Sequence, residues 1–354
     1  MILDENGLID VRQKIEFKKT FNSVSLFSGC GGLDLGFKGK FSVFGNVNKK
    51  TFPKNPFDIV WANEIDKDAV NTYINNIGKH IVCADINSIS DIDIPECDVV
   101  IGGFPCQDFS IAGKQKAFQN GRGTLYLEMV RVIKAKQPIA FVAENVKNIL
   151  NPKLIDAERN QPVIQTICDD FSEAGYKLKF KCLSAPSYGI PQSRERVFIV
   201  GIRKDVKAEF FFPKPFHAPM TSKEAIDDLW GRENEAKIYN HNQVSLAKFR
   251  PYSKVGSQGN EMIPAHAPSH VMRAEHHMNI QAHYRTLCPN NDLTNRDYWR
   301  RLTVREAARL QTFPDNFKFS GMKSSSYKQV GNAVPPMLGW YVARALGICL
   351  NKGL

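Results

Sequence analysis

Residues 23–34 read Ser-Val-Ser-Leu-Phe-Ser-Gly-Cys-Gly-Gly-Leu-Asp, and this stretch decides the fold. An apolar run at 23–27 is followed at once by glycines and then by a helical pattern. Glycines between a strand and a helix let a ligand approach the backbone closely. The spacing is not the GxGxxG of dinucleotide-binding proteins, because Asp34 stands where the third glycine would be. We therefore predict a strand–loop–helix unit whose ligand is not a dinucleotide.

The same alternation continues along the first two hundred residues. The predicted strands are 23–27, 57–62, 98–102, 139–143 and 197–202. Helical patterns lie between them, for example at 67–76 and 123–136. This order predicts an α/β fold, a mostly parallel sheet with helices on both faces. Since ligands of such sheets bind outside the carboxyl ends of the strands, we expect the chemistry in the loops that follow these runs.

From about residue 212 the pattern changes to a segment rich in proline, glycine, asparagine, histidine and arginine. Regular periodicity returns near residue 301, where Thr303 and Glu306 have the spacing of a capping box at a helix start. We predict a catalytic and cofactor-binding domain of residues 1–212 plus 325–354. A smaller, loop-rich domain is predicted at 213–324.

The charge of the chain indicates a polyanionic partner. The formal net charge is +11, and residues 213–326 hold 16 Lys/Arg against 11 Asp/Glu together with seven of the eight histidines. The 43% hydrophobic and 23% charged residues are those of an ordinary globular protein. The sequence shows neither a continuous apolar run of roughly 20 residues nor a signal-peptide layout, so we expect a cytoplasmic protein without a membrane partner. The cysteines form no CxxC pair and no cluster with ligand spacing, so no metal is expected.

Two carboxylates follow predicted strands. Glu64 comes at the end of the second run, where it is placed to accept hydrogen bonds from ribose hydroxyls. Asp85 ends a short strand candidate and could accept from an adenine amino group. An exposed carboxylate is usually only solvated, but the glycine turn, Glu64 and Asp85 in this order describe an adenosine site.

Three further loops carry candidate catalytic groups. Cys106 follows a strand and Pro105, and it opens a polar segment that could move over a substrate. Glu144 lies in an apolar setting, which should raise the pKa of its carboxyl group and let it donate a proton at neutral pH. Arg194 and Arg196 alternate and share one face, where they could engage phosphate or a carbonyl oxygen.

These loops resemble the motifs of the bacterial-type DNA cytosine-5 methyltransferases, from about Ser23 to the C-terminus. The motifs, in the family's order, are LFSGCGG (26–32), NEID (63–66), GGFPCQDFS (102–110), ENV (144–146), QSRERVFIVG (192–201), RLTVREAARLQTFP (301–314) and YKQVGNAVPP (327–336). Seven collinear motifs are far more specific than any one of them.

The resemblance implies a DNA (cytosine-5)-methyltransferase with the Rossmann-like fold of S-adenosylmethionine-dependent methyltransferases and a target-recognition domain. Such an enzyme moves a methyl group from S-adenosyl-L-methionine to C5 of a flipped cytosine through a covalent Cys106 adduct. Glu144 would bind N3 and Arg196 would contact O2, with Arg194 in support. The implied cofactor contacts are Phe27, Gly29, Gly32, Glu64, Ile65, Asp85, Ile86, Pro105, Leu125, Asn332 and Val334. The expected DNA contacts are Gln107, Ser110, Gln192, Arg273, His276, His277, Asn279 and Arg285.

The implied partner is double-stranded DNA, and the implied role is modification in a restriction–modification system. A cognate endonuclease would act on the same site without a stable complex, and we expect a monomer. Two alternatives stay open: a methyltransferase acting on RNA or tRNA cytosine, and an inactive DNA-binding regulator on this fold. The long variable region 213–300 favours DNA, and the intact Cys106, Glu144 and Arg196 argue against a regulator. Residues 41–56, which include Lys49, Lys50 and Lys54, look like an insertion that could touch DNA but is expected to form a solvated loop.

Overall fold

The structure is a computed structural model that describes residues 3–105, 125–215, 218–233, 235–242, 261–274, 283–286 and 299–353. Within these ranges the strands are β1 (Phe21–Leu26), β2 (Phe41–Val43), β3 (Lys50–Phe52), β4 (Phe57–Glu64), β5 (Ile81–Cys83), β6 (Val99–Gly103), β7 (Ala140–Val146), β8 (Ile155–Asp156), β9 (Gln161–Pro162), β10 (Tyr176–Ser184), β11 (Glu195–Arg203), β12 (Glu261–Met262), β13 (His283–Thr286) and β14 (Trp299–Arg301). The helices are α1 (Gly32–Lys38), α2 (Lys67–Asn76), α3 (Leu125–Lys136), α4 (Val163–Glu173), α5 (Ser222–Ile226), α6 (Val304–Leu310), α7 (Lys323–Asn332) and α8 (Pro336–Gly353).

Seven strands form the central sheet in the order β10-β11-β7-β6-β1-β4-β5. The five strands from β7 to β5 pair in parallel, whereas β11 runs antiparallel to both β7 and β10. On β6, Val99 and Ile101 enter one apolar cluster and Val100 enters the other, because successive side chains of a strand point to opposite faces. Both faces are therefore covered, and the predicted α/β fold is confirmed.

The five predicted strands correspond to β1, β4, β6, β7 and β11, with ends that differ by at most three residues. The predicted helix 67–76 coincides with α2, which Asp66 caps by accepting hydrogen bonds from two backbone N–H groups. Strand β10 was not predicted. Its alternate positions Lys177, Lys179 and Lys181 lie at the edge of the sheet, where lysines discourage pairing with another chain.

The segment 41–56 is not the solvated loop that its lysines led us to expect. Strands β2 and β3 pair antiparallel within it, and Phe41 stacks on Phe52 with ring centroids 5.0 Å apart. The Phe52 ring also contacts Trp340 of α8, edge to face at 5.1 Å. Phe41, Val43, Phe44 and Phe52 are buried in the core, so these residues decide the position of the hairpin and its lysines do not.

Residues on both sides of the predicted domain boundary share one hydrophobic core. Ile226, Leu302 and Phe313 belong to the same buried cluster as Met337 of α8. The division at residues 212 and 325 stays a prediction. By length and composition the apolar stretch within Lys323–Gly353 could cross a membrane, but 94% of it is buried inside the protein, which is the environment of a core helix.

Part of the positive charge of residues 213–326 is internal. Among the Lys/Arg of this segment that the structure describes, five arginines are buried: Arg285, Arg300, Arg301, Arg305 and Arg309. Arg285, Arg300 and Arg309 pair with acidic residues of the same segment, so the burial of these pairs does not by itself reduce the net positive charge of the segment.

Candidate active site

The predicted glycine loop connects β1 to α1 and lies at the carboxyl ends of the parallel strands. Gly31 is the N-cap of α1 and has φ +89°, a left-handed conformation that favours glycine. A Cβ on Gly32 would come within 2.4 Å of the Val334 carbonyl oxygen, so the backbones of two distant segments touch here. The structure thus brings two predicted cofactor positions, Gly32 and Val334, into contact.

Glu64 ends β4 and holds the loop by its carboxylate. Its Oε2 accepts a hydrogen bond of 2.9 Å from the Gly29 N–H, and its Oε1 accepts from the N–H groups of Ile65 and Asp66, each at 2.9 Å. A carboxylate has about four acceptor sites, so Glu64 keeps capacity for a further donor such as a ribose hydroxyl.

The other predicted cofactor residues lie around the same edge. Ile65 is 64% exposed, although it is apolar, whereas Ile86 is buried. Asp85 is exposed beyond β5, and its Oδ1 caps the next turn by accepting from the Asn87 N–H at 3.0 Å. Phe27 is half-buried and has φ 53°. An exposed isoleucine beside these carboxylates is the arrangement expected of a nucleoside site before its ligand covers it.

The segment that carries Asn332 and Val334 connects α7 to α8 and is held by Arg194. The Arg194 guanidinium donates to the carbonyl oxygens of Gly331 (3.0 Å), Ala333 (2.9 Å) and Met272 (3.0 Å). Arg194 is 1% exposed, and burial lowers the pKa of its guanidinium. It acts in the structure as a clamp between three segments rather than as a group that meets a substrate.

Glu144 lies on β7 beside Gly103 of β6, its partner in the parallel register. Its Oε1 is 2.9 Å from Nε of Arg196, and the two side chains are only 10% and 13% exposed. Burial raises the pKa of the Glu144 carboxyl group, although the charges of Arg196 and Arg194 oppose the rise. Glu144 and Arg196, predicted as separate catalytic candidates, therefore lie side by side at the carboxyl ends of the parallel strands.

The chain leading to Cys106 is fixed at the same edge. Asn145 donates from Nδ2 to the carbonyl oxygen of Phe104 at 3.1 Å, and Pro105 follows directly. Helix α3 begins at Leu125, where the described residues resume. Cys106, Gln107 and Ser110 lie outside the described residues.

Two predicted DNA contacts are internal. Gln192 is 0% exposed; its Oε1 accepts from the Met272 N–H at 3.1 Å, and its Nε2 donates to the Leu310 carbonyl at 3.3 Å and to the Gln311 side chain. Arg285 is 6% exposed and pairs with Glu306 and Asp227. These contacts correct the expectation that either side chain reaches DNA, because both are enclosed by protein partners. Arg273 is exposed, as a DNA contact must be, and His276, His277 and Asn279 lie outside the described residues.

Sequence reasoning missed a buried ion-pair network on α6. Glu306 is fully buried and pairs with Arg285 at 2.9 Å and with Arg300 at 2.7 Å, while its carboxylate also closes the predicted capping box with Thr303. Arg309 pairs with Asp228 at 2.5 Å and with Asp315 at 2.6 Å. The only signal in the sequence was the density of arginines in 300–309, which solvated faces also show.

A model of the family "C-5 cytosine-specific DNA methylase" matches residues 21–347. Among curated proteins, the type II methyltransferase M.NgoFVII of Neisseria gonorrhoeae is 35% identical over 333 residues, covering 88% of this chain and 83% of its own length. M.BsuRI of Bacillus subtilis, also a type II methyltransferase, is 34% identical and covers 97% of this chain and 83% of its own length.

Solved structures agree with this assignment. A putative DNA modification methyltransferase encoded within an E. coli prophage superposes with a TM-score of 0.66 at 26% identity, over 94% of this chain and 100% of its own. The Dnmt2 methyltransferase of S. pombe superposes with a TM-score of 0.62 at 20% identity, over 94% and 99% of the two chains, and shows the shared fold. The sequence motifs, the sheet order and these matches agree, and the chain belongs to the C-5 cytosine-specific DNA methylase family.

Proposed function

We propose that this enzyme methylates C5 of a cytosine flipped out of double-stranded DNA, with Cys106 as nucleophile, Glu144 as proton donor and S-adenosyl-L-methionine as methyl donor. The observation that carries the proposal is the Glu144–Arg196 pair. A carboxyl group with a raised pKa lies 2.9 Å from a guanidinium, one strand away from the chain that leads to Cys106.

Each chemical step needs one of these groups. The Cys106 thiolate forms a bond to C6 of cytosine, and the electron pair of the C5–C6 double bond moves towards C5 and the ring. Glu144 donates a hydrogen bond or a proton at N3, and Arg196 stabilises the charge that develops at O2. When bound, the cofactor supplies an electrophilic methyl group for C5. Water then takes the C5 proton, the C5–C6 double bond re-forms as the bond from Cys106 to C6 breaks, and a proton given to N3 returns to Glu144.

The loop residues fit an adenosine-containing cofactor. Apart from its own chain neighbours, no atom of the described residues lies within 4 Å of a Cβ placed on Gly29, so among these residues the loop backbone faces open space. Glu64 keeps acceptor capacity for ribose hydroxyls, and the exposed Ile65 offers an apolar surface to a base. We assign cofactor binding to the predicted set, in which Glu64, Asp85 and the Gly29–Gly32 backbone would contribute the polar contacts.

The partner and role follow from the relatives. M.NgoFVII and M.BsuRI are type II methyltransferases, and we propose that this chain likewise modifies the DNA site of a restriction–modification system. A cognate endonuclease would recognise the same site separately. We propose that the enzyme works as a monomer in the cytoplasm, with Arg273 among the residues that contact DNA.

The test is transfer of tritiated methyl groups from S-adenosylmethionine to unmethylated plasmid DNA and, in parallel, to tRNA. We expect label in DNA for the wild type and none for Cys106→Ala. Bisulfite sequencing of the plasmid would then identify the modified cytosine and its sequence context. Label that persists in Cys106→Ala would overturn the mechanism, and label found in tRNA but not in DNA would overturn the substrate.

A further inference from the structure

Three polar side chains that are hydrogen-bonded in series lie beneath the glycine loop. Asp34, in the first turn of α1, is 0% exposed, and its Oδ1 accepts a hydrogen bond of 2.9 Å from the Tyr73 hydroxyl. The same hydroxyl is 3.0 Å from Nε2 of His80, which precedes β5. A phenol has one proton to donate, so if Tyr73 donates to Asp34, the proton of the second bond comes from His80.

The middle member of this chain supports the loop directly. A Cβ on Gly31 would lie 2.9 Å from Cδ2 of Tyr73 and 2.0 Å from Cδ1 of Ile77, so the loop backbone rests on the Tyr73 ring. The ring is also packed edge to face against His80, with centroids 5.5 Å apart. The position of the Tyr73 ring is therefore set by the two hydrogen bonds at its hydroxyl and by the side chains that pack against it.

Asp34 is a costly residue for this place. Its Oδ2 is buried and has no hydrogen-bond partner among the described residues. Burial raises the pKa of Asp34 to about 6, against the opposing hydroxyls of Tyr73 and Ser25. The neighbouring titratable groups are Lys38 and Cys30. The charge of Lys38 lowers the pKa of Asp34 and of His80, and the charge of Asp34 raises the pKa of the Cys30 thiol. An apolar residue would fill this site at lower cost, so the carboxyl group has a specific task.

We propose that Asp34, Tyr73 and His80 are positioning residues that hold the Gly29–Gly32 loop in the conformation that receives the cofactor. The inference rests on the proposed cofactor site. Asp34 orients the Tyr73 ring through its hydroxyl, His80 fixes the ring from the other side, and the ring supports Gly31. None of the three is a catalytic residue.

The first test measures binding of S-adenosylhomocysteine to the full-length enzyme by isothermal titration calorimetry. Tyr73→Phe keeps the ring beneath Gly31 and removes the hydroxyl, and we expect the Kd to rise about tenfold or more. The matched control is Tyr176→Phe, which removes a buried hydroxyl that donates to the Pro138 carbonyl at 2.7 Å, far from the loop. We expect Tyr176→Phe to lower the melting temperature without changing the Kd.

The second test asks whether a conservative replacement rescues the site. Asp34→Asn keeps the shape of the side chain and an acceptor oxygen for the Tyr73 hydroxyl, and it removes only the ionisable group. We expect Asp34→Asn to bind S-adenosylhomocysteine within about twofold of the wild type, and Asp34→Leu to resemble Tyr73→Phe. In methyl transfer, the KM for cofactor should rise in Tyr73→Phe while kcat at saturation stays within about twofold.

The outcomes separate this inference from the proposed function. If the wild type binds S-adenosylhomocysteine and Tyr73→Phe loses no more affinity than Tyr176→Phe, the positioning role is wrong and the proposed function stands. If Asp34→Leu binds as well as Asp34→Asn, the role of the acceptor is wrong. A wild-type enzyme that binds no S-adenosylhomocysteine would overturn the cofactor assignment itself, and this inference with it.

Discussion

Gly103 lies beside Glu144 across the parallel β6–β7 pair, so closely that a Cβ at position 103 would come within 3.0 Å of the Glu144 Oε2 atom. The carboxyl group must occupy this space to pair with Arg196 on its other side. The position of the proposed proton donor therefore depends on a neighbour that lacks a side chain.

Gly103→Ala should displace the Glu144 carboxyl group by a few tenths of an ångström and slow methyl transfer by about 10- to 100-fold. Single-turnover transfer of tritiated methyl groups measures the loss. In a Glu144→Gln background the same substitution should cost little, because the amide that it displaces no longer carries the transferable proton. An equal loss in both backgrounds would mean that Gly103 acts through something other than Glu144.

Glu144→Gln keeps the size of the side chain and removes its proton, so we expect kcat to fall by about 10²- to 10⁴-fold. Because burial raises the pKa of Glu144, its protonated form persists to a higher pH than that of an ordinary glutamic acid, and the wild-type rate should decline as pH rises and Glu144 ionises. A pH–rate profile of single turnovers checks this limb, which Glu144→Gln should lack. DNA affinity, measured in parallel, should be unchanged.

Gln192→Ala should destabilise the protein and leave DNA binding intact. The substitution leaves the buried Met272 N–H without its acceptor, and it should lower the free energy of unfolding by about 1–3 kcal/mol. Arg273→Ala is the matched comparison. Because Arg273 is exposed, this variant should lose DNA affinity without a change in melting temperature. Urea unfolding and DNA binding at several salt concentrations separate the two effects. Arg273→Ala should flatten the salt dependence, whereas a loss of DNA affinity in Gln192→Ala at every salt concentration would restore Gln192 as a DNA contact.

Glu306→Gln should lower the free energy of unfolding by about 3–5 kcal/mol, because the buried Arg285 and Arg300 would lose the carboxylate that they share and keep only Asp227 and Glu233. Burial alone would raise the pKa of Glu306, but hydrogen bonds and charges from Arg300 and Arg285 outweigh it and hold the pKa below its ordinary value. A lowered pKa gives stability that is present above the unfolded value of 4.5 and is lost as pH falls through the folded value. The difference between wild type and variant should therefore shrink on acidification, which urea unfolding at successive pH values measures. A difference that does not change with pH would contradict the ionic role.

The parts of the fold that the sequence predicts are those that local pattern decides. The strands that end at Gly103 and near Glu64 are apolar runs flanked by glycine or polar residues, and helix α2 begins at a capping Asp66. The Thr303–Glu306 capping box is confirmed for the same reason, because both of its hydrogen bonds lie within one turn. These features depend on residues close together in the chain.

The parts that were mispredicted depend on what a side chain meets from elsewhere in the chain. Gln192 and Arg285 read as surface groups, yet Gln192 reaches Leu310 and Arg285 reaches Glu306 in the interior. Polar residue type alone does not distinguish a base contact from a buried clamp. The 41–56 hairpin was mispredicted in the same way. Its lysines suggested a solvated loop, whereas Phe52 packs on α8 and holds the hairpin against the core.

The arginine network of α6 sets a limit for anyone who would change the DNA site that this enzyme modifies. Glu306 is bonded to Arg285 of β13 and to Arg300 of β14, and both guanidinium groups stack on the ring of Trp230. A recognition segment transplanted from a relative would have to bring its own partners for Glu306 or keep these three residues. The boundaries of such chimaeras are therefore better placed between Arg285 and Arg300 than outside β13 and β14. The chimaera then keeps both arginines as partners of Glu306.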